Sequence, residues 1–342
     1  MNKRIRRFVV WTLGVIVAPC LIVVIAFSVS PVPGALVIRQ MFSGKVAITD
    51  PKAYHAAAGK VQSVVDRTYR SSLNDNTYDT YYPKSDTNPV PVLIWLHGGG
   101  YVGGDKESVR EFATRIVADA GIAVVAMNYE RAPGSHFPNQ VRQVDELVQD
   151  LQHANDSRLD MSALFFGGDS AGAQIALQYA TVQTNPAYAK DTGFKQSVEA
   201  PAIKGVISYC GPVDLRQMAD AKTTSRFMAF FIKTVAWSLL GSRDWRGSRQ
   251  LQRISLVDNV TKDFPPTYIT DGNAYSFPEQ GIALERRLQA LSVPVTGLLF
   301  EHTSKQVSHE YQFNDSTPEA RRCYEQTLAF VNAHSGLPAE RR

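Results

Sequence analysis

Apolar and polar positions divide the chain into three stretches of different character. Phe8 to Val29 is apolar throughout, 22 positions without a charged residue. A helix rising about 1.5 Å per residue would carry such a run across a hydrocarbon core of about 30 Å. Residues 8–30 are therefore expected to form one N-terminal transmembrane helix, a signal anchor, in which Pro19 makes at most a kink. A cleaved secretory signal is the alternative, but its apolar region usually runs only about 7–15 residues. Residues 31–50 read as a link containing Pro and Gly. In 51–71, Val61, Val64, Val65 and Tyr69 fall close to one helical face. Residues 31–75 are thus expected to hold a linker and an N-terminal cap helix.

From residue 76 to 342 the periodicity alternates between two kinds. Strands are predicted at 78–82, 90–96, 122–128, 163–166, 203–209, 267–270 and 295–300. Helices are predicted at 106–120, 139–153, 171–184, 278–291 and 318–333. This alternation predicts an α/β fold, a mostly parallel central sheet flanked by helices on both faces. Residues 212–262 interrupt it: they hold no strand pattern but carry MAFFIKTVAWSLL together with Trp237 and Trp245. That stretch reads as a helical insertion, serving either as a cap over a pocket or as additional core.

Composition narrows the functional classes. With 44% hydrophobic and 20% charged residues, the 342-residue chain can bury an ordinary core. The net charge of +4 sits in residues 1–7, where Lys3, Arg4, Arg6 and Arg7 occur with no acid; without them residues 8–342 are formally neutral. Nucleic acid is therefore not an expected partner. A basic tip ahead of an apolar helix keeps the N-terminus cytoplasmic, so the body is expected to be extracytoplasmic. Cys20, Cys210 and Cys323 have neither zinc-type spacing nor a spacing that indicates a disulfide. No metal or cofactor is expected.

Three motifs carry candidate chemistry. Gly168-Asp169-Ser170-Ala171-Gly172 follows a predicted strand and opens a predicted helix. In that context a G-x-S-x-G sequence forms a tight turn that lifts the serine hydroxyl above the sheet. The amide after it, on Ala171, then points where an oxyanion would form. His97-Gly98-Gly99-Gly100 follows the strand VPVLIWL, and a glycine run there lets backbone amides approach a ligand atom. His97 itself is read as holding the glycine loop. His309, on the loop before the last helix, is the candidate base among seven histidines, with His302 its rival. A competing pattern occupies the same loop: Gly98-x-Gly100-x-x-Gly103 satisfies G-x-G-x-x-G, with Glu130 ending the next strand. A dinucleotide-dependent oxidoreductase is the reading it supports. Glu130 lies 27 residues beyond Gly103, against about 20 in that fingerprint.

Taken together, HGGG, GDSAG, the later His309 in SHEYQF, and Asn128-Tyr129-Glu130-Arg131-Ala132-Pro133 before Phe137-Pro138 resemble the hormone-sensitive-lipase-like group of α/β-hydrolase esterases over about residues 75–335. The resemblance implies an α/β-hydrolase fold with a helical cap and hydrolysis of carboxylic esters, expected to be short- to medium-chain acyl esters, through a Ser-His-acid triad. It implies Ser170 and His309 as catalytic residues and Gly99, Gly100 and Ala171 as the oxyanion hole. One departure stands out: Tyr275, Ser276 and Phe277 occupy the place of that family's Asp-Pro-Leu. Asp271, at the strand end, is the preferred acid, with Glu279 and Asp214 as alternatives. A binding protein that lost its triad, or an acyltransferase using the same residues, remains open at this point.

Overall fold

The computed structural model describes residues 3–43, 47–84, 88–220, 223, 225–301 and 303–338. Eight strands join in one sheet: β1 (Val61–Thr68), β2 (Thr77–Pro83), β3 (Val90–Leu96), β4 (Ala123–Met127), β5 (Leu159–Asp169), β6 (Ile203–Tyr209), β7 (Thr267–Asp271) and β8 (Val295–Leu299). Their spatial order is β1-β2-β4-β3-β5-β6-β7-β8. β2 runs antiparallel to β1 and β4, and the remaining pairs are parallel. The helices in chain order are α1 (Lys3–Val29), α2 (Val32–Met41), α3 (Pro51–Ala58), α4 (Arg110–Ala120), α5 (Asn139–Ala154), α6 (Ala171–Thr184), α7 (Pro186–Thr192), α8 (Leu215–Asp220), α9 (Arg226–Leu240), α10 (Arg249–Arg253), α11 (Pro278–Ala290) and α12 (Pro318–His334).

Every residue of β3 and β4 is buried. A strand covered on both faces has no polar side to show, so its sequence is an unbroken apolar run. The strand period of two still sorts the side chains. Leu93 and Trp95 of β3 pack with Phe112, Ile116 and Val117 of α4 and with Phe330 of α12. Val92, Ile94 and Leu96 pack on the other face with α5 and α6. α4 ends at Gly121, whose φ of 67° is the left-handed geometry that lets the chain turn into β4.

Two segments differ from the sequence expectation. The helix expected over 51–71 stops at Ala58, and β1 follows after Gly59 and Lys60. Val61, Val64 and Val65 suit a helical face by spacing, but β-branched side chains favour a strand once a partner edge exists. β2 supplies that edge, pairing Val61 with Pro83 and Val64 with Thr80. The register breaks between Val64 and Arg67, where Asp66 has φ 55°. Lys106 Nζ fastens this break at 2.7 Å from both Asp66 and Asp79. The second difference is α2, inside the expected link 31–50. Pro33 lies in its first turn, where a missing N–H costs nothing.

The transmembrane expectation over 8–30 also changes in form. α1 is a continuous helix, yet among the described residues no single helix is long and apolar enough to cross a membrane. A bent pair, Val17–Val29 with Val32–Met41, meets the length and composition together, with 90° between its halves. Within 212–262 the described residues form α8, α9 and α10 and no strand. α9 is started by Ser225, whose Oγ accepts from Met228 N at 3.2 Å, and is ended by Gly241 at φ 70°. α2 lies on α9 so closely that a Cβ on Gly34 would come within 2.8 Å of Thr234. Arg39 of α2 donates to the Val102 carbonyl at 2.7 Å and ties the helix to the glycine loop.

Candidate active site

β5 ends at Asp169, and Ser170 makes the turn into α6 with φ 49° and ψ −117°. A non-glycine residue there is strained. The strain is held by a 2.7 Å hydrogen bond from Ser170 N to the Tyr209 carbonyl and by tight backbone packing on both sides. A Cβ on Gly172 would sit 2.0 Å from the Leu96 carbonyl oxygen, and one on Gly168 would sit 2.4 Å from the Gly172 carbonyl carbon. These contacts explain why the turn needs glycine at both ends. Gly172→Ala is accordingly expected to cost at least about 3 kcal/mol, since β3 itself would have to move. The check is the urea midpoint of the purified protein, and an unchanged midpoint would contradict the packing account.

His309 Nε2 lies 3.0 Å from Ser170 Oγ. Its loop is placed by a 3.0 Å bond from His309 N to the Ala274 carbonyl and by Asn273, which binds Val307 N at 2.9 Å. Gly272 makes that approach possible, because a Cβ there would fall 2.4 Å from the Val307 carbonyl oxygen. The rival His302 lies outside the described residues. The expected contact between His309 and Asp271 is not direct. His309 Nδ1 meets Ser276 Oγ at 2.6 Å, and Ser276 Oγ donates to Asp271 Oδ1. Asp271 also accepts from Phe277 N at 3.1 Å. The reason is geometric: Asp271 ends β7, one residue before the tight Gly272, and its carboxylate stops one hydroxyl short of the imidazole. Tyr275, φ 57°, is 81% exposed at the rim of the cavity that Ser170 and His309 line.

The alternative acids are not brought to the imidazole. Asp214 pairs with Arg216 at 3.0 Å, and Glu279 is exposed at the start of α11. Sequence reasoning places Ser276 only within the stretch that replaces Asp-Pro-Leu and assigns it no role. The available signal was a hydroxyl residue beside the displaced Asp-Pro-Leu position, five residues beyond a strand-end aspartate.

Burial sets the protonation states. It pushes the Asp271 carboxyl up to about 7 and the His309 imidazole down to about 4. His309 is thus a neutral base at neutral pH. Beside it, Glu310 is pushed up to about 8 by burial and by nearby Asp169, itself pushed up to about 6 by burial. Asp169 accepts from Trp95 Nε1 at 2.9 Å and from Gly98 N at 2.7 Å. Gly98 is therefore occupied, while the amides of Gly99 and Gly100, at φ 110° and 59°, have no protein acceptor among the described residues. Gly100, Ala171, Ser170 and His309 line one cavity of about 270 Å³; Gly99 lines the adjoining cleft with Gly98, Asp169 and Glu310. His97 is buried, places Nδ1 2.7 Å from the Gly98 carbonyl and stacks on Tyr129 at 4.4 Å.

Two other chemistries fit the residues less well. Gly103 of the G-x-G-x-x-G pattern is packed under Phe42 and Arg39, so a Cβ there would meet Phe42 at 3.1 Å. That closes the approach a pyrophosphate would need. Cys210 Sγ, an Asp271 oxygen and a His309 nitrogen lie within 4.8 Å of one another. Burial pushes the Cys210 thiol up, away from the thiolate a metal would take, and the other two groups are already joined through Ser276.

A family model described as BD-FAE matches residues 78–288. An alpha/beta hydrolase of Acanthamoeba polyphaga mimivirus is 32% identical over 224 residues, covering 62% of this chain and 59% of its own length. An acetyl-hydrolase of Streptomyces hygroscopicus is 25% identical over 246 residues, covering 72% and 76%. Among solved structures, an inhibited esterase B from Lactobacillus rhamnosis superposes with a TM-score of 0.67 at 23% identity, over 81% of this chain and 88% of that one.

Proposed function

The chain belongs to the BD-FAE family of α/β hydrolases, and we propose from this that it is a serine carboxylic-ester hydrolase. The observation that carries the proposal is the unbroken hydrogen-bonded line Ser170–His309–Ser276–Asp271 at the wall of an apolar cavity. Ser170 Oγ bonds to the ester carbonyl carbon while its proton passes to His309 Nε2. The carbonyl oxygen becomes an oxyanion held by the amides of Gly99, Gly100 and Ala171. The C–O bond to the alcohol breaks, and His309 Nε2 gives its proton to the departing oxygen. Water then attacks the acyl-enzyme, its proton goes to His309, and the acid leaves as Ser170 recovers its proton. Throughout, the Nδ1–H of His309 donates to Ser276 Oγ, whose own hydrogen points to Asp271. Ser276 thereby fixes the tautomer and passes on the negative charge of Asp271.

A fluorophosphonate probe tests this reading. One equivalent should attach to the peptide containing Ser170 and to no other, and failure of the folded protein to react would favour a binding protein that kept the pocket alone.

We also place α1 in a membrane, with the hydrolase body on the extracytoplasmic side. Support comes from the uncharged run Phe8–Val29 and the four basic residues before it. Trypsin added outside sealed cells should then remove the body, and protection of the body would reverse the orientation.

A further inference from the structure

The arc of α2 turned away from the protein is apolar. Ala35 and Ile38 are buried against the body, while Val32, Leu36, Val37 and Met41 are 45–56% exposed, with Gln40 the polar residue among them. A helix on a water-facing surface ordinarily shows the reverse arrangement. The surface continues in both directions. Phe27 and Val29 at the end of α1 are exposed, and Phe27 meets the Phe230 ring of α9 at 6.4 Å. Phe227, one turn earlier on α9, is 49% exposed. Contiguous apolar surface of this kind marks an interaction site.

Charge indicates the partner. α1, α2 and α9 contain no Asp or Glu, whereas Arg226 and Lys233 stand exposed on α9. An apolar face fringed by cations and free of acids matches a bilayer with anionic lipid. The 90° between α1 and α2 suits it as well, since a helix perpendicular to a spanning one lies along the interface. Two residues of this face, Met41 and Phe227, also line the catalytic cavity. The cavity mouth and the exposed apolar surface thus share a rim.

We propose that α2 and the first half of α9 rest on a lipid bilayer and that the cavity takes acyl esters of membrane lipids through the Met41–Phe227 rim. An acyl chain would pass from lipid to pocket without crossing water. The substrate half of this inference rests on the hydrolase reading above; the docking half does not.

The test uses the full chain reconstituted in mixed phosphatidylcholine–phosphatidylglycerol vesicles. Leu36 and Val37 do not line the cavity, so Leu36→Gln/Val37→Gln leaves the reacting groups in place. The double variant is expected to lose at least about tenfold in hydrolysis of vesicle-borne diacylglycerol while keeping its rate on soluble p-nitrophenyl butyrate. Equal losses on both substrates, or none on either, would overturn the proposal. A second measurement is independent of catalysis. An environment-sensitive fluorophore on Leu36→Cys, in a Cys20→Ser background, should be quenched by brominated lipid. Quenching with no hydrolysis of either ester by the wild type would refute the hydrolase reading and keep the docking. No quenching, with cross-linking of two copies through this face, would replace the bilayer by a dimer.

Discussion

Ser170→Ala is expected to lower kcat for p-nitrophenyl acetate by on the order of 10⁶-fold, because serine, histidine and acid act as a unit and the nucleophile cannot be replaced by a neighbour. The turn that holds Ser170 is built from backbone contacts of Gly168 and Gly172 with Leu96, so the alanine variant should fold and keep its cavity. A small residual rate is expected from the oxyanion amides, which polarise a bound ester without a nucleophile. Stopped-flow and end-point hydrolysis on wild type and variant decide the matter. Retention of wild-type turnover would mean that the line from Ser170 to Asp271 is structural.

Ser276→Ala should cost roughly 10²–10⁴-fold in kcat, the scale seen when a triad histidine loses the group that fixes its tautomer. His309 Nδ1 would then face a gap between itself and Asp271, which lies one hydroxyl away. The pH profile separates this role from simple packing. Asp271 titrates near 7 and His309 near 4, so lowering the pH neutralises Asp271 first. Above about pH 7 its charge stabilises the imidazolium formed in each step; as pH falls through 7 that help disappears and kcat/KM declines. Asp271→Asn should remove this limb and leave a lower, flatter profile down to the His309 titration. Ser276→Ala should flatten it in the same way, whereas Ser276→Thr, which keeps the hydroxyl, should retain it. Asp271→Asn with Ser276→Asp would place a carboxylate in direct contact with Nδ1 and should recover most of the loss. A normal acid limb in Ser276→Ala would show that Asp271 reaches the imidazole by another route.

The body of the fold was legible because its signals are local and reinforce one another. β3 and β4 are uninterrupted apolar runs, and α4 and α5 each carry one apolar face. Ser170 and His309 were legible because a strand–serine–helix turn and a late histidine have few other uses. β1 was not, since Val61, Val64 and Val65 satisfy a helical spacing and only the edge of β2 decides against it. α2 was hidden by Pro33 and Gly34, which mark a loop in isolation; here Pro33 begins a helix and Gly34 lets it press on Thr234. The relay was legible by half. Asp271 was the preferred acid, but the distance that makes Ser276 necessary depends on how Gly272 packs under Val307 and Ser308, which no spacing in the chain expresses.

The junction between α1 and α2 has a mechanical consequence. Ser30 and Pro31 alone separate the helices: Ser30 N extends the α1 ladder to the Ala26 carbonyl at 3.1 Å, the Pro31 carbonyl opens α2 by accepting from Ala35 N at 2.9 Å, and Val32 N donates to Ser30 Oγ at 3.2 Å across the bend. Arg39 then clamps α2 to the loop that holds Gly99 and Gly100. No free leash intervenes between α1 and Ser170. If α1 is held in a bilayer as proposed, Ser170 would travel at a fixed height and its search for substrate would be lateral. Turnover would then follow the number of ester molecules per unit area of surface, and diluting the vesicles in bulk solution would leave it unchanged.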